Sequence, residues 1–169
     1  MLGVIVVLCY NLRMTVAFIG HRKIDKAKEF IQKLKEVVNA LIDVEGADTF
    51  LFGSRSVFNE LSLDVVSKLK EYYPLIKRVY VRAEYEFIDE LYTDYLLMSY
   101  DETFFPKSVS GAGYRSYVKR NQVMIDMCDV LITYYDRDYR LLTGKMSGTK
   151  YAVEYAMKKH KRIINLNEL

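Results

Sequence analysis

The sequence predicts an α/β fold, a doubly wound and mainly parallel five-stranded sheet ordered 3-2-1-4-5, with helices on both faces. Three observations carry this. Short apolar runs alternate with long amphipathic segments along almost the whole chain. The runs are continuously apolar, as strands are when both sheet faces are covered. Glycines and small hydroxyl residues recur where a run gives way to an amphipathic segment, which is the composition of a strand-to-helix turn.

Thr15-Val16-Ala17-Phe18-Ile19 is the first strand, closed by Gly20. Ala27, Phe30, Ile31, Leu34, Val37, Val38 and Leu41 then repeat at helical spacing, with Lys26, Lys28, Lys33 and Lys35 outward and Gly46 as the turn. Thr49-Phe50-Leu51-Phe52 is the second strand, ending at Gly53. A second helix runs over about 57–73 with Leu61, Val65, Val66 and Leu69 inward, and Pro74 ends it. Arg78-Val79-Tyr80-Val81 is the third strand. Residues 84–113 break the rhythm, with a helix around 88–98, an aromatic loop over 100–106 and a flexible Ser110-Gly111-Ala112-Gly113 joint. A helix over 115–127 leads into the fourth strand, 130–135. A polar loop, 136–146, precedes Ser147-Gly148-Thr149, a last helix over 149–159 and a fifth strand over 162–166. Helical crossovers within one sheet are right-handed and make neighbouring strands parallel.

The chain has 169 residues, enough for one domain with a real core. It shows no repeat, low-complexity tract or linker. The domain is expected over 14–169. Residues 1–13 read as an extension upstream of a start at Met14, with an edge strand over 3–9 as the alternative. The apolar run 2–10 is too short to span a bilayer and lacks the basic lead and small-residue cleavage site of a signal peptide. No membrane partner is expected. Cys9 and Cys128 have neither metal-site spacing nor a disulfide framework. Neither a metal nor a cofactor is expected, and a reducing cytoplasm fits best. A content of 51% hydrophobic and 28% charged residues is that of a soluble globular protein. The near-balance of 25 basic and 22 acidic side chains, net +3, argues against nucleic acid.

A sheet of this order binds ligands at the carboxyl ends of its strands, where the winding reverses between strands 1 and 4. The residues expected there are Gly20-His21-Arg22, Gly53-Ser54-Arg55-Ser56, Asp136 and Ser147-Gly148-Thr149. Glycine lets the backbone approach an anion, the first helical N–H groups point at it, and Arg22 adds a forked cation. Taken singly, each loop also reads as a tight turn, and Ser54, Ser56, Ser147 and Thr149 as helix caps. Taken together, they point to a nucleotide or phosphosugar site. His21 would donate to a phosphate or ribose, or serve only as a packing or capping group at the helix start. Arg120 and Asn121, on the helix entering strand 4, would approach the same place, or the guanidinium would pair with a neighbouring carboxylate. The aromatic segment 84–105, with Tyr85, Tyr92, Tyr95, Tyr100, Phe104 and Phe105, reads as a base-stacking wall, as core or as a homodimer contact. No G-x-G-x-x-G with a distal acid, no P-loop and no nucleophile elbow is present.

In combination, several stretches resemble the SLOG superfamily, a Rossmann-like group with a three-layer sandwich. It includes the DNA-processing protein A and the lonely-guy phosphoribohydrolases. The stretches are Val16-Ala17-Phe18-Ile19-Gly20-His21-Arg22, Phe50-Leu51-Phe52-Gly53-Ser54-Arg55-Ser56, the run from Arg78 to Tyr85, Tyr100-Asp101-Glu102-Thr103, and Tyr117-Val118-Lys119-Arg120-Asn121. Residues 129–135 and 147–165 complete the set. The likeness covers roughly Thr15 to the C-terminus and looks closest to bacterial YpsA-like proteins. It implies a fold that holds a nucleotide or nucleotide-derived ligand. By that likeness Gly20, His21 and Arg22 line one loop, Gly53 and Ser54 a second, Arg120 and Asn121 approach from a helix, and Ser147, Gly148 and Thr149 take a phosphate. The phosphoribohydrolases carry a proline-glycine-glycine loop with a glutamate shortly after its glycine-threonine. Here Met146-Ser147-Gly148-Thr149 stands instead, and the next acid is Glu154. The leading expectation is therefore non-catalytic binding or sensing. The alternative is a nucleoside-monophosphate phosphoribohydrolase with Glu60 or Glu154 near the ribose C1 position. A second alternative is single-stranded nucleic-acid binding, which predicts steep salt dependence.

Overall fold

A computed structural model of the chain describes residues 13–22, 24, 27–138 and 147–169. Residues 1–12 of the expected extension, with its edge-strand alternative and Cys9, and also Lys23, Lys26 and most of the polar loop, lie outside the described residues. In chain order the elements are β1 (Met14–Phe18), α1 (Ala27–Glu45), β2 (Ala47–Phe52), α2 (Val57–Lys70), β3 (Lys77–Val81), α3 (Glu90–Leu97) and β4 (Glu102–Phe104). Then come α4 (Ser116–Met127), β5 (Val130–Thr133), α5 (Gly148–Lys158) and β6 (Arg162–Asn165).

The sheet is ordered β4-β3-β2-β1-β5-β6, and every neighbouring pair is parallel. The five expected strands stand in the expected order. The correction is a sixth: part of the expected aromatic loop pairs with β3 as the edge strand β4. Three residues are too few to show a periodicity, so tertiary bonds make this strand. Asp101 accepts from the Arg78 N–H (2.8 Å) and the Arg78 guanidinium (3.1 Å), and Thr103 donates to the Tyr80 carbonyl (3.0 Å). Burial alone would raise the Asp101 pKa, but the Arg78 bonds and charge hold it below the ordinary carboxylate value.

Successive strand residues point to opposite faces and build two cores. Val16, Phe18, Phe50, Phe52 and Tyr80 pack with Phe30, Leu34 and Val38 of α1, Phe58 and Val66 of α2, and Leu96 of α3. On the other face Ala17, Leu51, Val79, Val81 and Leu131 pack with Met124 and Ile125 of α4 and Ala152 and Ala156 of α5. Cys128 lies in this second core, where burial pushes its thiol pKa up to about 11. The glycine joint before α4 uses the freedom it was expected to supply: Gly111 and Gly113 take φ values of 71° and 55°. Among the described residues no helix is long and apolar enough to cross a membrane.

Candidate functional site

Gly20 and Gly53 follow adjacent parallel strands and so lie at one rim of the sheet. The start of α5 returns to that rim, because the Ser147 hydroxyl lies 3.2 Å from His21 Nδ1. The three expected loops thus share one end of the molecule.

Around β1 and β5 the chain runs on past the strands, with Ile19 and His21 N–H groups donating to the Ile132 and Tyr134 carbonyls (3.2 and 3.0 Å). His21 is 5% exposed. Its Nε2 lies 3.4 Å from the Asp136 carbonyl, and Tyr135 tilts against the ring. Burial lowers the His21 pKa, while Asp136 pulls the other way through its carbonyl and its charge. The Asp136 carboxylate accepts from the Asp138 N–H (2.9 Å). Thr133, last in β5, is fully buried, and its hydroxyl completes no hydrogen bond among the described residues. Ser147 caps α5 by accepting from the Lys150 N–H (3.3 Å). Thr149 is buried; Gly148 and Arg22 are exposed.

The lowered His21 pKa sets a pH dependence. As the pH falls, the unfolded chain takes up this proton near its ordinary value of 6.5 while the folded chain still resists it. The contribution is whole above that value, declines as the pH drops from it towards the folded pKa, and levels off below. Thermal melts across this window should show a smaller decline for His21→Gln than for the parent. Equal slopes would remove His21 as the cause.

Around β2 and β3 the organising residue is Asn59, in the first turn of α2 and 3% exposed. Its Oδ1 accepts from the Gly53 and Ser54 N–H groups (3.1 and 3.3 Å), and its Nδ2 donates to the Phe18 carbonyl (3.4 Å). Ser56 caps the same helix by accepting from the Asn59 N–H (3.3 Å), and its hydroxyl lies 2.9 Å from that of Ser54. The backbone amides of His21, Gly53 and Ser54, read from the sequence as aimed at an anion, are therefore engaged within the protein. Gly20 also has a different reason from the one expected. A Cβ on Gly20 would lie 2.6 Å from the Phe58 ring, and one on Gly53 2.6 Å from Met124 Sδ and 2.7 Å from Arg120. Close packing against the Phe58 ring is thus a reason for glycine at position 20, while at position 53 the neighbours are the ends of flexible side chains.

Positive charge reaches this half of the rim through side chains. Arg120, on α4, is 2% exposed. Its Nη1 donates to the Val81 carbonyl (3.3 Å), its Nε to Asn121 Oδ1 (2.9 Å), and its guanidinium lies 5.7 Å from the Tyr117 ring centre. Among the described residues it has no ion pair. Burial lowers its pKa, against the opposing influence of Tyr80, Glu84 and Tyr117. Tyr80 is equally buried, and its hydroxyl completes no hydrogen bond among the described residues, although Arg120 and Arg55 act on it electrostatically. Arg82, just past β3, donates from Nη1 to the Tyr85 carbonyl (2.8 Å) while its buried Nε has no partner among the described residues. Arg55 donates to the Tyr92 hydroxyl (2.7 Å) and faces Tyr95. Three guanidinium groups thus gather at the carboxyl end of β2 and β3 with the Tyr80 phenol, and of these the Arg82 Nε and the Tyr80 hydroxyl are buried without a partner among the described residues.

Asn59, Tyr80 and Arg82 were not among the residues expected from sequence. A polar residue three places after a capping serine was the available signal for Asn59, and a cation at a strand end that for Arg82. Tyr80 gave none, since a ring inside an apolar strand reads as core. Glu60 is exposed on α2. Glu154 is exposed on α5, paired with Lys150 (3.7 Å). Because α2 and α5 cover opposite faces, the two carboxylates are not brought together. Of the aromatic wall, Tyr100 packs into the core against Tyr80 and Phe52, while Tyr85, Tyr92 and Tyr95 form a chain of ring contacts outside it. Between α4 and α5 lies an open groove of about 440 Å³ whose walls include Tyr117, Val118, Asn121, Tyr151, Ala152 and Tyr155. Among the described residues no group of three or more His, Cys, Asp or Glu is placed to hold a metal ion.

No family model matches the chain, and no curated protein matches it. Solved structures do. One, of the molybdenum cofactor carrier protein from Chlamydomonas reinhardtii, superposes with a TM-score of 0.53 at 15% identity, covering 89% of this chain and 74% of that one. A second structure of the Moco carrier protein from the same organism gives 0.53 at 16% identity, covering 92% and 76%. At that identity the likeness is one of fold, a Rossmann-like α/β sheet.

Proposed function

We propose that this chain is a SLOG-like module that binds and carries a phosphate-bearing, nucleotide-derived small molecule at the carboxyl rim of its sheet, breaking no bond in it. The observation that carries the reading is Arg120, a buried cation whose hydrogen-bond partners are neutral. Such a charge is unfavourable in the absence of an anion, and a phosphate supplies one. Arg82 and Tyr80 add donors that want acceptors. On the other half of the rim, the neutral His21 imidazole with the Ser147 and Thr133 hydroxyls suits sugar hydroxyls better than a second phosphate. Binding without catalysis is favoured by the exposure of both candidate carboxylates, Glu60 and Glu154, the latter held by Lys150. The solved structures with this fold are named as carriers, and a carrier only has to hold and release.

Calorimetry and thermal shift with inorganic phosphate, nucleoside monophosphates, cyclic nucleotides, ADP-ribose and phosphoribosyl compounds provide the test. Saturable binding with a rise in melting temperature is expected for at least one nucleotide-derived compound, with no free base released on chromatography. Absence of binding to any of them at millimolar levels would overturn the proposal. Release of base that Glu60→Gln or Glu154→Gln abolishes would replace it with the phosphoribohydrolase reading.

A further inference from the structure

The helix α3 is poorly claimed by its own chain, since Leu96 is its one buried residue. Leu91, Tyr95 and Met98 are 81%, 57% and 82% exposed, and their spacing of four and three places them along one stripe of the helix, with Phe87, 89% exposed, shortly before it. A stripe of this kind on an otherwise polar surface marks a contact with another molecule. The segment itself is acidic: residues 83–106 hold seven acids and no lysine or arginine, although Asp101 and Glu102 are held in ion pairs and Arg55 lies over the Tyr95 ring. Glu84, Glu90 and Asp94 are exposed, beside the stripe or within it in sequence.

The groove between α4 and α5 is the complement. Its walls carry Tyr117, Val118, Tyr151 and Ala152, with Arg115 and Lys158 also lining it. Two cations line it, Arg115 and Lys158, and the one acid there, Glu154, is already paired with Lys150. An apolar stripe with an acidic surround matches an apolar groove with a basic one, in the manner of a helix laid in a groove. At eight residues, α3 is about 12 Å long, a modest insert. A chain cannot fill its own groove, because α3 packs on the face covered by α1 and α2 whereas α4 and α5 cover the other.

We propose that α3 of one chain docks in the α4–α5 groove of a second copy. The two surfaces differ, so the contact is either reciprocated in a two-fold, isologous pair or repeated head to tail from copy to copy.

Sedimentation of the full chain from micromolar to millimolar concentration reads this directly. Association that weakens as salt is raised is expected. Two charge reversals on exposed residues separate this contact from any other. In one chain Glu90→Lys and Asp94→Lys turn α3 basic; in another Arg115→Glu and Lys158→Glu turn the groove acidic. Each reversed chain alone is expected to associate at least about tenfold more weakly, through like-charge contact. Mixed together they re-associate, since the basic helix meets the acidic groove and the unaltered pair still matches. Circular dichroism melts confirm that both remain folded. A parent chain that stays monomeric throughout, as it would if a different protein or a small molecule occupies the groove, overturns the proposal. So does association that neither reversal weakens, or failure of the mixture to recover it.

Discussion

Arg120→Met abolishes most phosphate binding while leaving the ligand-free chain at least as stable, to within about 1 kcal/mol. The two halves of this result have different causes. A charge-assisted hydrogen bond to an anion contributes roughly 1.5–3 kcal/mol, so affinity for inorganic phosphate or the best nucleotide-derived ligand falls by about tenfold to a hundredfold. Stability responds in the opposite sense, because methionine removes a buried charge that has no ion pair among the described residues and only the longer-range influence of Glu84, and apolar replacements of buried charge are often neutral or stabilising. Loss of the Val81 and Asn121 bonds works against this and limits the gain. Arg120→Lys keeps the charge but not the fork, and affinity falls between the two. Calorimetry and denaturant unfolding on the same preparations measure both halves. If Arg120 is merely structural, the methionine variant loses several kcal/mol of stability and takes binding down only through unfolding.

Asn59→Ala destabilises the fold by roughly 3–5 kcal/mol. One carboxamide satisfies two N–H groups after β2 and a carbonyl at the end of β1, at 3% exposure. Each such group left unmet in the interior costs about 1–3 kcal/mol. Against a typical total of about 5–15 kcal/mol this is a large fraction. Asn59→Asp keeps both acceptor bonds, loses the donor to Phe18 and sets a carboxylate against that carbonyl, so it recovers only part of the loss. Urea unfolding at unchanged slope gives the values. A loss under about 1 kcal/mol for the alanine variant would mean that water replaces the clip.

These expectations also mark how far the sequence carries. The five expected strands and their order were legible because the inner ones are buried on both faces, and burial writes itself as an unbroken apolar run. β4 was not, since Glu102-Thr103-Phe104 becomes a strand through Asp101, Arg78 and Tyr80, more than twenty positions away for the latter two. The shared rim was legible because it follows from parallel topology. Its chemistry was only half so. Gly20 and Gly53 were visible as turn glycines, but that a Cβ there would meet Phe58, or the Arg120 and Met124 side chains, is announced by nothing local. Ser56 as a cap was readable; that Asn59 would absorb the loop amides was not. Arg120 stands between Lys119 and Asn121 on a polar-looking helix, and its burial depends on how that helix lies over Gly53 and Val81.

The brevity of the outermost strands has its own consequence. β4 and β6 run for three and four residues, and each begins with a charged residue held in an ion pair, Glu102 with Lys77 and Arg162 with Glu45. Flanks that short offer little main chain for a stray β-segment to zip onto. Whatever this molecule recruits to itself has to be recognised by side chains, so its sociability can be tuned by substitution without touching the hydrogen-bonded ladder.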